Sequence, residues 1–203
     1  MPAIELSNVS KSYKNIKALD NISITINKDE AILMLGSNGS GKSTIIKLIL
    51  GYIKLGKNDS GKIYKENLKI GYVPERVYLP KSNKVKDYLK DYYSLKEISF
   101  DYLELAKYFD LDVNKGLNEL SKGMKQKVAL VLALDSNNDM FILDEATNGL
   151  DDESIKKLVD KLIELKNMGK GIIIVSHYKD IYEKICSREI TFSNSKILED
   201  KLL

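Results

Sequence analysis

Apolar residues recur along this chain in two spacings, and each predicts one kind of element. Residues 3–9 alternate, with Ile4 and Leu6 on one side and Glu5 and Ser7 on the other; Ile22-Ser23-Ile24-Thr25-Ile26 repeats the alternation before a turn at Asn27-Lys28-Asp29. Both are predicted as edge strands of an antiparallel sheet. Three continuous apolar runs, Ala31-Ile32-Leu33-Met34-Leu35, Met140-Phe141-Ile142-Leu143 and Gly171-Ile172-Ile173-Ile174-Val175, read as buried strands, the last of the kind found in parallel sheets covered on both faces. Lys62-Ile63-Tyr64 and Ile70-Gly71-Tyr72-Val73 are shorter strands, Pro74-Glu75 breaks the pattern, residues 188–197 form two more strands, and Lys201-Leu202-Leu203 forms a frayed end.

Helical spacing fills the intervals. Ile45-Ile46-Lys47-Leu48-Ile49-Leu50 opens one helix, Val128 to Leu134 lies in a second, and Ile155, Leu158, Val159, Leu162, Ile163 and Leu165 mark a third that Gly169 ends. From about residue 82 to 120, Val85, Tyr88, Leu89, Tyr92, Tyr102, Leu103, Leu105, Ala106 and Phe109 recur at helical spacing, which predicts a small helical subdomain. The chain is an α/β protein with a parallel sheet, an N-terminal antiparallel β subdomain and this helical part. Its 203 residues predict a single domain, 1–203.

Between the first buried strand and the first helix stands Gly36-Ser37-Asn38-Gly39-Ser40-Gly41-Lys42-Ser43-Thr44, a match to G-x-x-x-x-G-K-[S/T]. Gly36, Gly39 and Gly41 let the backbone turn its N–H groups onto an anion, and the helix N-terminus adds partial positive charge. Lys42 would place an ammonium on the outer phosphates, Ser43 a hydroxyl on Mg²⁺, and Thr44 a second hydroxyl at the loop's end. Spacing, the Lys-Ser pair and both flanking elements agree on a nucleoside triphosphate; a turn that merely connects two elements would need none of them. The loop alone does not say whether the phosphate bond is cut.

Other segments have chemical and bland readings side by side. Asp144-Glu145 ends a buried apolar run, where two carboxylates are costly unless they hold a cation or a water; that suits Mg²⁺ and a hydrolytic base. His177 is the sole histidine, at the carboxyl end of a buried strand and so at the ligand crevice of a parallel sheet, although a lone histidine is commonly structural. Ser121 occupies an N-cap position, and with Gly123 makes a possible anion site, or only a cap. Tyr13 sits on a polar loop, where it stacks on a purine or simply covers surface.

Composition narrows the function classes. Lys plus Arg exceeds Asp plus Glu by only 32 to 29, and just two of the cations are arginines, Arg76 and Arg188, so neither nucleic acid nor an anionic membrane is implied as a partner. Cys186 is the one cysteine, which excludes an internal disulfide and a cysteine zinc site. The N-terminus lacks the charge and apolar run of a signal peptide, and no stretch approaches the ~20 apolar residues that span a bilayer. Any membrane role therefore passes through another chain.

Taken together, these segments resemble the nucleotide-binding subunit of ATP-binding-cassette (ABC) ATPases over essentially the whole chain. Tyr13 falls at the aromatic loop that stacks on adenine, 36–44 at Walker A, Tyr72-Val73-Pro74-Glu75 at the Q-loop, and Leu120 to Gln126 at the signature segment. Phe141 to Glu145 falls at Walker B and the catalytic glutamate, Asn148 to Asp151 at the D-loop, and Val175-Ser176-His177 at the switch histidine. The resemblance implies a P-loop ATPase core, ATP and Mg²⁺, and a head-to-tail pair of subunits in which each ATP meets Walker A of one chain and Ser121 and Gly123 of the other. It implies Glu145 and His177 as catalytic residues and Ser43, Asp144 and Glu75 around the metal. A separate transmembrane permease would hold the chain at the cytoplasmic face of the bacterial plasma membrane.

Two departures stand out. The signature reads Leu-Ser-Lys-Gly-Met instead of Leu-Ser-Gly-Gly-Gln, keeping Ser121 and Gly123, and Glu75 replaces the usual Q-loop glutamine. The combination is similar to ATPases of bacterial ABC-2-type exporters, including those for antibiotics, bacteriocins and other peptides. The alternative from another class is a soluble ABC ATPase acting on DNA or ribosomes, which the short interval between Lys42 and Ser121 disfavours.

Overall fold

The protein's structure, a computed structural model, describes residues 2–81, 83–97 and 100–203. Chain order is β1 (Ile4–Tyr13), β2 (Ile16–Ile26), β3 (Ala31–Gly36), α1 (Lys42–Ile49), β4 (Ser60–Lys65), β5 (Ile70–Val73), α2 (Val85–Leu95), α3 (Tyr102–Tyr108), α4 (Lys122–Ala133), β6 (Met140–Asp144), α5 (Asp152–Asn167), β7 (Gly171–Val175), β8 (Arg188–Ser193) and β9 (Lys196–Leu202).

Two sheets result. Six strands run in the order β5-β6-β7-β3-β8-β9, parallel except for the antiparallel pair β8 and β9. Every residue of β6 and of β7 is buried, as continuous apolar runs demand when both faces of a parallel sheet are covered. Period two divides these runs between two cores. Leu33, Phe141, Leu143, Ile172 and Ile174 face a cluster with residues of α4 and α5; Ile32, Met34, Ile142, Ile173 and Val175 face one with residues of α1, β1 and β2. Close packing extends to backbone: a Cβ on Gly71 of β5 would stand 2.0 Å from the Ala133 carbonyl oxygen at the end of α4.

The second sheet is antiparallel, in the order β2-β1-β4. Three expectations are corrected here. β1 is the central strand, not an edge strand, because 60–65 pairs on its other side. β1 and β2 also extend toward each other until Tyr13 pairs with Ile16, so Tyr13 ends a strand at a tight hairpin tip instead of sitting on a polar loop. Lys201 and Leu202 belong to β9, whose backbone pairs with β8 through Arg188↔Leu202; they are not frayed.

The predicted helical stretch of 82–120 contains α2, α3 and one 3-10 turn, Leu117–Glu119, separated by non-helical backbone over 109–116. Residues 82, 98 and 99 of that stretch lie outside the described residues. Tyr93 anchors this part: its hydroxyl donates to the Val131 carbonyl at 2.7 Å and its ring stacks on Tyr102, with centroids 5.1 Å apart. Among the described residues no helix is long and apolar enough to cross a membrane.

Candidate active site

The register of the large sheet brings the chemistry together. Val175, the last residue of β7, pairs with Asp144, the last of β6, on one side and with Met34 of β3 on the other, so β6 and β7 end level and β3 runs two residues further to Gly36. Past those ends lie the glycine loop after β3, Glu145 after β6 and His177 after β7, at the carboxyl edge where parallel sheets bind ligands. A cleft of about 460 Å³ opens there. Its lining includes Tyr13, residues 38–44, Glu75, Asp144, Glu145 and His177.

The loop's shape depends on glycine at both ends. Gly36 has φ of 146° and a Cβ there would meet the Phe192 carbonyl oxygen at 2.4 Å; Gly41 has φ of 112° and would meet that of Ala18 at 2.8 Å. Gly41 is the N-cap of α1 and no side chain caps this helix, which leaves its end to an anion. Lys42 is buried, its Nζ donating to the carbonyls of Gly36 at 2.6 Å and Ser37 at 3.0 Å. The ammonium thus bridges its own loop. Burial pushes its pKa down, against the pull of Glu145 and Asp144.

Facing the lysine is a concentration of negative charge. Asp144 and Glu145 are 5% and 7% exposed. Burial first, then the charges of Glu75 and Glu145, push the Asp144 carboxyl up to about 6. Glu145 is also raised by burial, opposed by His177 and Lys42. It adopts φ of 51°, a left-handed conformation that costs a non-glycine residue on the order of 1 kcal/mol, and its N–H donates to the Val175 carbonyl at 2.9 Å. That twist turns the carboxylate off the strand and toward His177, whose Nε2 lies 3.2 Å from Glu145 Oε1. Among the described residues the buried Oε1 has no aligned hydrogen-bond partner, while the His177 backbone N–H draws the carboxyl's pKa down. A buried acceptor with an unmade bond beside a half-exposed imidazole is suited to taking a water's proton.

Ser121 and Gly123 do not line this cleft. Ser121 is the N-cap of α4, its Oγ accepting from the Met124 N–H at 3.2 Å. Gly123 packs against the 148–151 turn so closely that a Cβ would stand 2.3 Å from the Gly149 carbonyl oxygen. In one chain, then, the N-termini of α1 and α4 do not share a cleft.

A match to the family described as ABC transporter covers residues 19–148. The chain belongs to that family. An uncharacterized ABC transporter ATP-binding protein of Methanocaldococcus jannaschii is 35% identical over 96% of this chain and 76% of its own length. Nod factor export ATP-binding protein I of Rhizobium johnstonii is 33% identical over 92% of this chain and 65% of its own. The galactofuranose transporter ATP-binding protein of Escherichia coli is also 33% identical, over 94% and 42%. Among solved structures, a dimeric post-hydrolysis state of an ATP-binding cassette bound to ADP and Pi superposes with a TM-score of 0.86, at 26% identity and 98% coverage of both chains. This ABC protein is therefore an ATP-binding, ATP-hydrolysing cassette with the α/β architecture of that fold.

Several cleft residues escape a sequence reading of this ABC ATPase. Ile16, 74% exposed, forms an apolar lip with Tyr13 at the hairpin tip, and Lys17 and Tyr178 also reach the cleft. The signal was the alternation of β2, which starts at Ile16 although its apolar positions become regular only from Ile22.

Proposed function

We propose that this chain powers a transporter, working as two copies with separate transmembrane subunits at the cytoplasmic face of the membrane. Each ATP would lie in the cleft of one copy with Ser121 and Gly123 of the other against its γ-phosphate. The observation that carries this reading is the alignment of the glycine loop, Asp144–Glu145 and His177 at the ends of β3, β6 and β7, with Ser121 exposed and Gly123 half-buried, both outside the cleft.

Tyr13 stacks on the base. The amides of 36–44 and the N-terminus of α1 hold the phosphates, and Lys42 exchanges loop carbonyls for phosphate oxygens. The anionic surroundings that raise Asp144 favour a divalent cation, and among the described residues no cluster of three or more His, Cys, Asp or Glu side chains would bind one unaided. That suits Mg²⁺, which takes one or two carboxylates and completes its shell with phosphates and water. Ser43 and Asp144 would hold it, with Glu75 at the rim, and it would neutralise charge on the leaving phosphate. Glu145 orients and deprotonates the attacking water, and His177 aligns that water while holding the γ-phosphate.

The direction of transport we assign is export, with peptides or antibiotics as the cargo class. Ser-Lys-Gly-Met at 121–124 and Pro-Glu at 74–75 support it, as does similarity to a Nod factor export protein, whereas the galactofuranose relative belongs to a sugar transporter. ATP turnover by this chain, alone and with whatever membrane protein a neighbouring gene encodes, tests the assignment. Binding and stimulation by that protein in vesicles, with ATP-dependent movement of a peptide out of the cytoplasmic side, is expected. A soluble partner in its place, bound to nucleic acid or ribosomes, would overturn transport while leaving the ATPase intact.

A further inference from the structure

Immediately before Tyr13, β1 carries a buried ion pair that the phosphate chemistry does not use. Lys11 Nζ lies 2.8 Å from Asp59 Oδ2, and the two side chains are 9% and 5% exposed. The same ammonium donates to the Lys54 carbonyl at 3.0 Å. Asp59 Oδ2 also accepts from the Gly56 N–H at 2.6 Å, and Oδ1 accepts from the backbone N–H of Ser12 at 3.0 Å. One carboxylate thus grips residues 11 and 12 together. The Gly56 N–H, the Lys11 ammonium and the Ser12 N–H bring its pKa down to about 2, so it is charged throughout the neutral range.

The hairpin tip needs such a grip. On the β4 side the ladder of β1 ends at Ser10↔Ser60, and on the β2 side its register slips between Lys11 and Ser12. Past that slip the tip is held only by β2, through Ser12↔Lys17 and Tyr13↔Ile16, with no strand among the described residues on its β4 side. Where the β4 ladder stops, Asp59 takes the Ser12 N–H instead, and Lys11 Nζ stands 5.4 Å from the centroid of the Tyr13 ring, within cation–π range. Tyr13 lines the cleft while Lys11 and residues 56–59 do not.

We infer that Asp59 and Lys11 are positioning residues for the base of the nucleotide: they clamp the hairpin tip and hold the Tyr13 ring in its stacking orientation at the rim of the cleft. The loop between α1 and β4 is thereby part of nucleotide recognition without touching the nucleotide. This inference rests on the reading of Tyr13 as the base-stacking residue.

Binding of ATP and of inorganic tripolyphosphate to the full chain, by calorimetry, separates the ideas. Tyr13→Ala should weaken ATP about five- to a hundredfold, the span of one lost base stack, and leave tripolyphosphate unchanged. Asp59→Asn and Lys11→Met should each weaken ATP about three- to tenfold. They too should spare tripolyphosphate, raise KM with kcat within about twofold, and add nothing to Tyr13→Ala in the double variant. Lys11→Arg, which keeps the charge, should restore most of the affinity. If Tyr13→Ala leaves ATP binding unchanged, the stacking reading fails and the clamp with it. If Tyr13→Ala weakens ATP while Lys11→Met does not, or if the Lys11 and Asp59 variants weaken tripolyphosphate equally, the clamp alone is overturned. Should Asp59→Asn not fold, Lys11→Met decides by itself.

Discussion

Two helices of this molecule begin where an anion can bind, and they begin differently. The N-terminus of α1 is capped by no side chain; its first residue, Lys42, is turned inward onto its own loop, and the cleft beside it holds Asp144, Glu145 and His177. The N-terminus of α4 is capped by its own Ser121, is exposed, and packs through Gly123 against the 148–151 turn. The first is a cradle surrounded by the groups to which the proposed function gives the chemistry. The second lies outside that cleft, and its first turn shares a separate pocket with Glu75, Lys122 and Lys125. On the function proposed above, a single chain lacks only the second donor set, and a second copy is the economical source of that set.

The sharpest break of this contrast is Glu145→Gln. If the α1 side is the chemical half, the variant should retain ATP affinity and lose roughly 10²–10⁴ in turnover, about 3–5 kcal/mol of barrier, because amide and carboxylate match in shape but the amide takes no proton. Unchanged turnover in a steady-state phosphate-release assay would remove Glu145 from the reaction.

The α4 side is tested by charge. Ser121→Asp retains a good N-cap but sets a carboxylate against the incoming γ-phosphate, so folding should survive and turnover should fall roughly 10–10³-fold. ATP affinity of the isolated chain should not change, since Ser121 lies outside its cleft. Mixing helps further. A Lys42→Ala chain and a Ser121→Asp chain are each defective, yet a mixed pair has one site with both intact halves, so activity should recover to about a quarter of wild type if pairing is random and isologous. No recovery would place both donor sets within one chain.

The same two regions differ in how far sequence reveals them. The α1 cradle was legible because its chemistry is local: nine consecutive residues carry the glycines, lysine and hydroxyl, and the apolar runs on either side state their elements. Asp144 and Glu145 were legible for a related reason, as charges ending a buried strand. The hairpin was misread because its regularity is not in its apolar spacing. Ile16 is exposed, Ser12 and Lys11 pair irregularly with β2, and the third strand arrives from residue 60, so neither the central place of β1 nor the grip of Asp59 has a local signature. The same holds for Gly123 against Gly149, a contact between segments whose approach depends on packing α4 beside the turn after β6. The helical stretch was over-extended because the helical spacing ends at Phe109, while the core positions beyond it, Leu111 and Leu117, sit on backbone that is not α-helical.

The smallest expected effect concerns what the chemical half costs the fold. Asp144 is buried among like charges, and its carboxyl is raised from 3.8 to about 6. A carboxylate whose folded pKa lies above its unfolded value opposes folding wherever it must be ionised. The penalty is absent below about pH 4, grows as pH rises toward 6, and is complete above it. In the nucleotide-free chain Asp144→Asn should therefore stabilise by about 1–3 kcal/mol at pH 7, a rise of roughly 2–8 °C in Tm, and should flatten the loss of stability between pH 4 and 6. Turnover should collapse in the same variant, because the carboxylate that burdens the empty fold is what would hold the divalent cation beside the phosphates. No equivalent gain exists on the α4 side: Ser121 satisfies its helix, so Ser121→Ala should cost stability, about 1 kcal/mol, instead of releasing any. Thermal melts of the two variants at pH 5 and pH 7 would show opposite signs at neutral pH. Equal signs would mean that the chemical half carries no more strain than an ordinary helix cap.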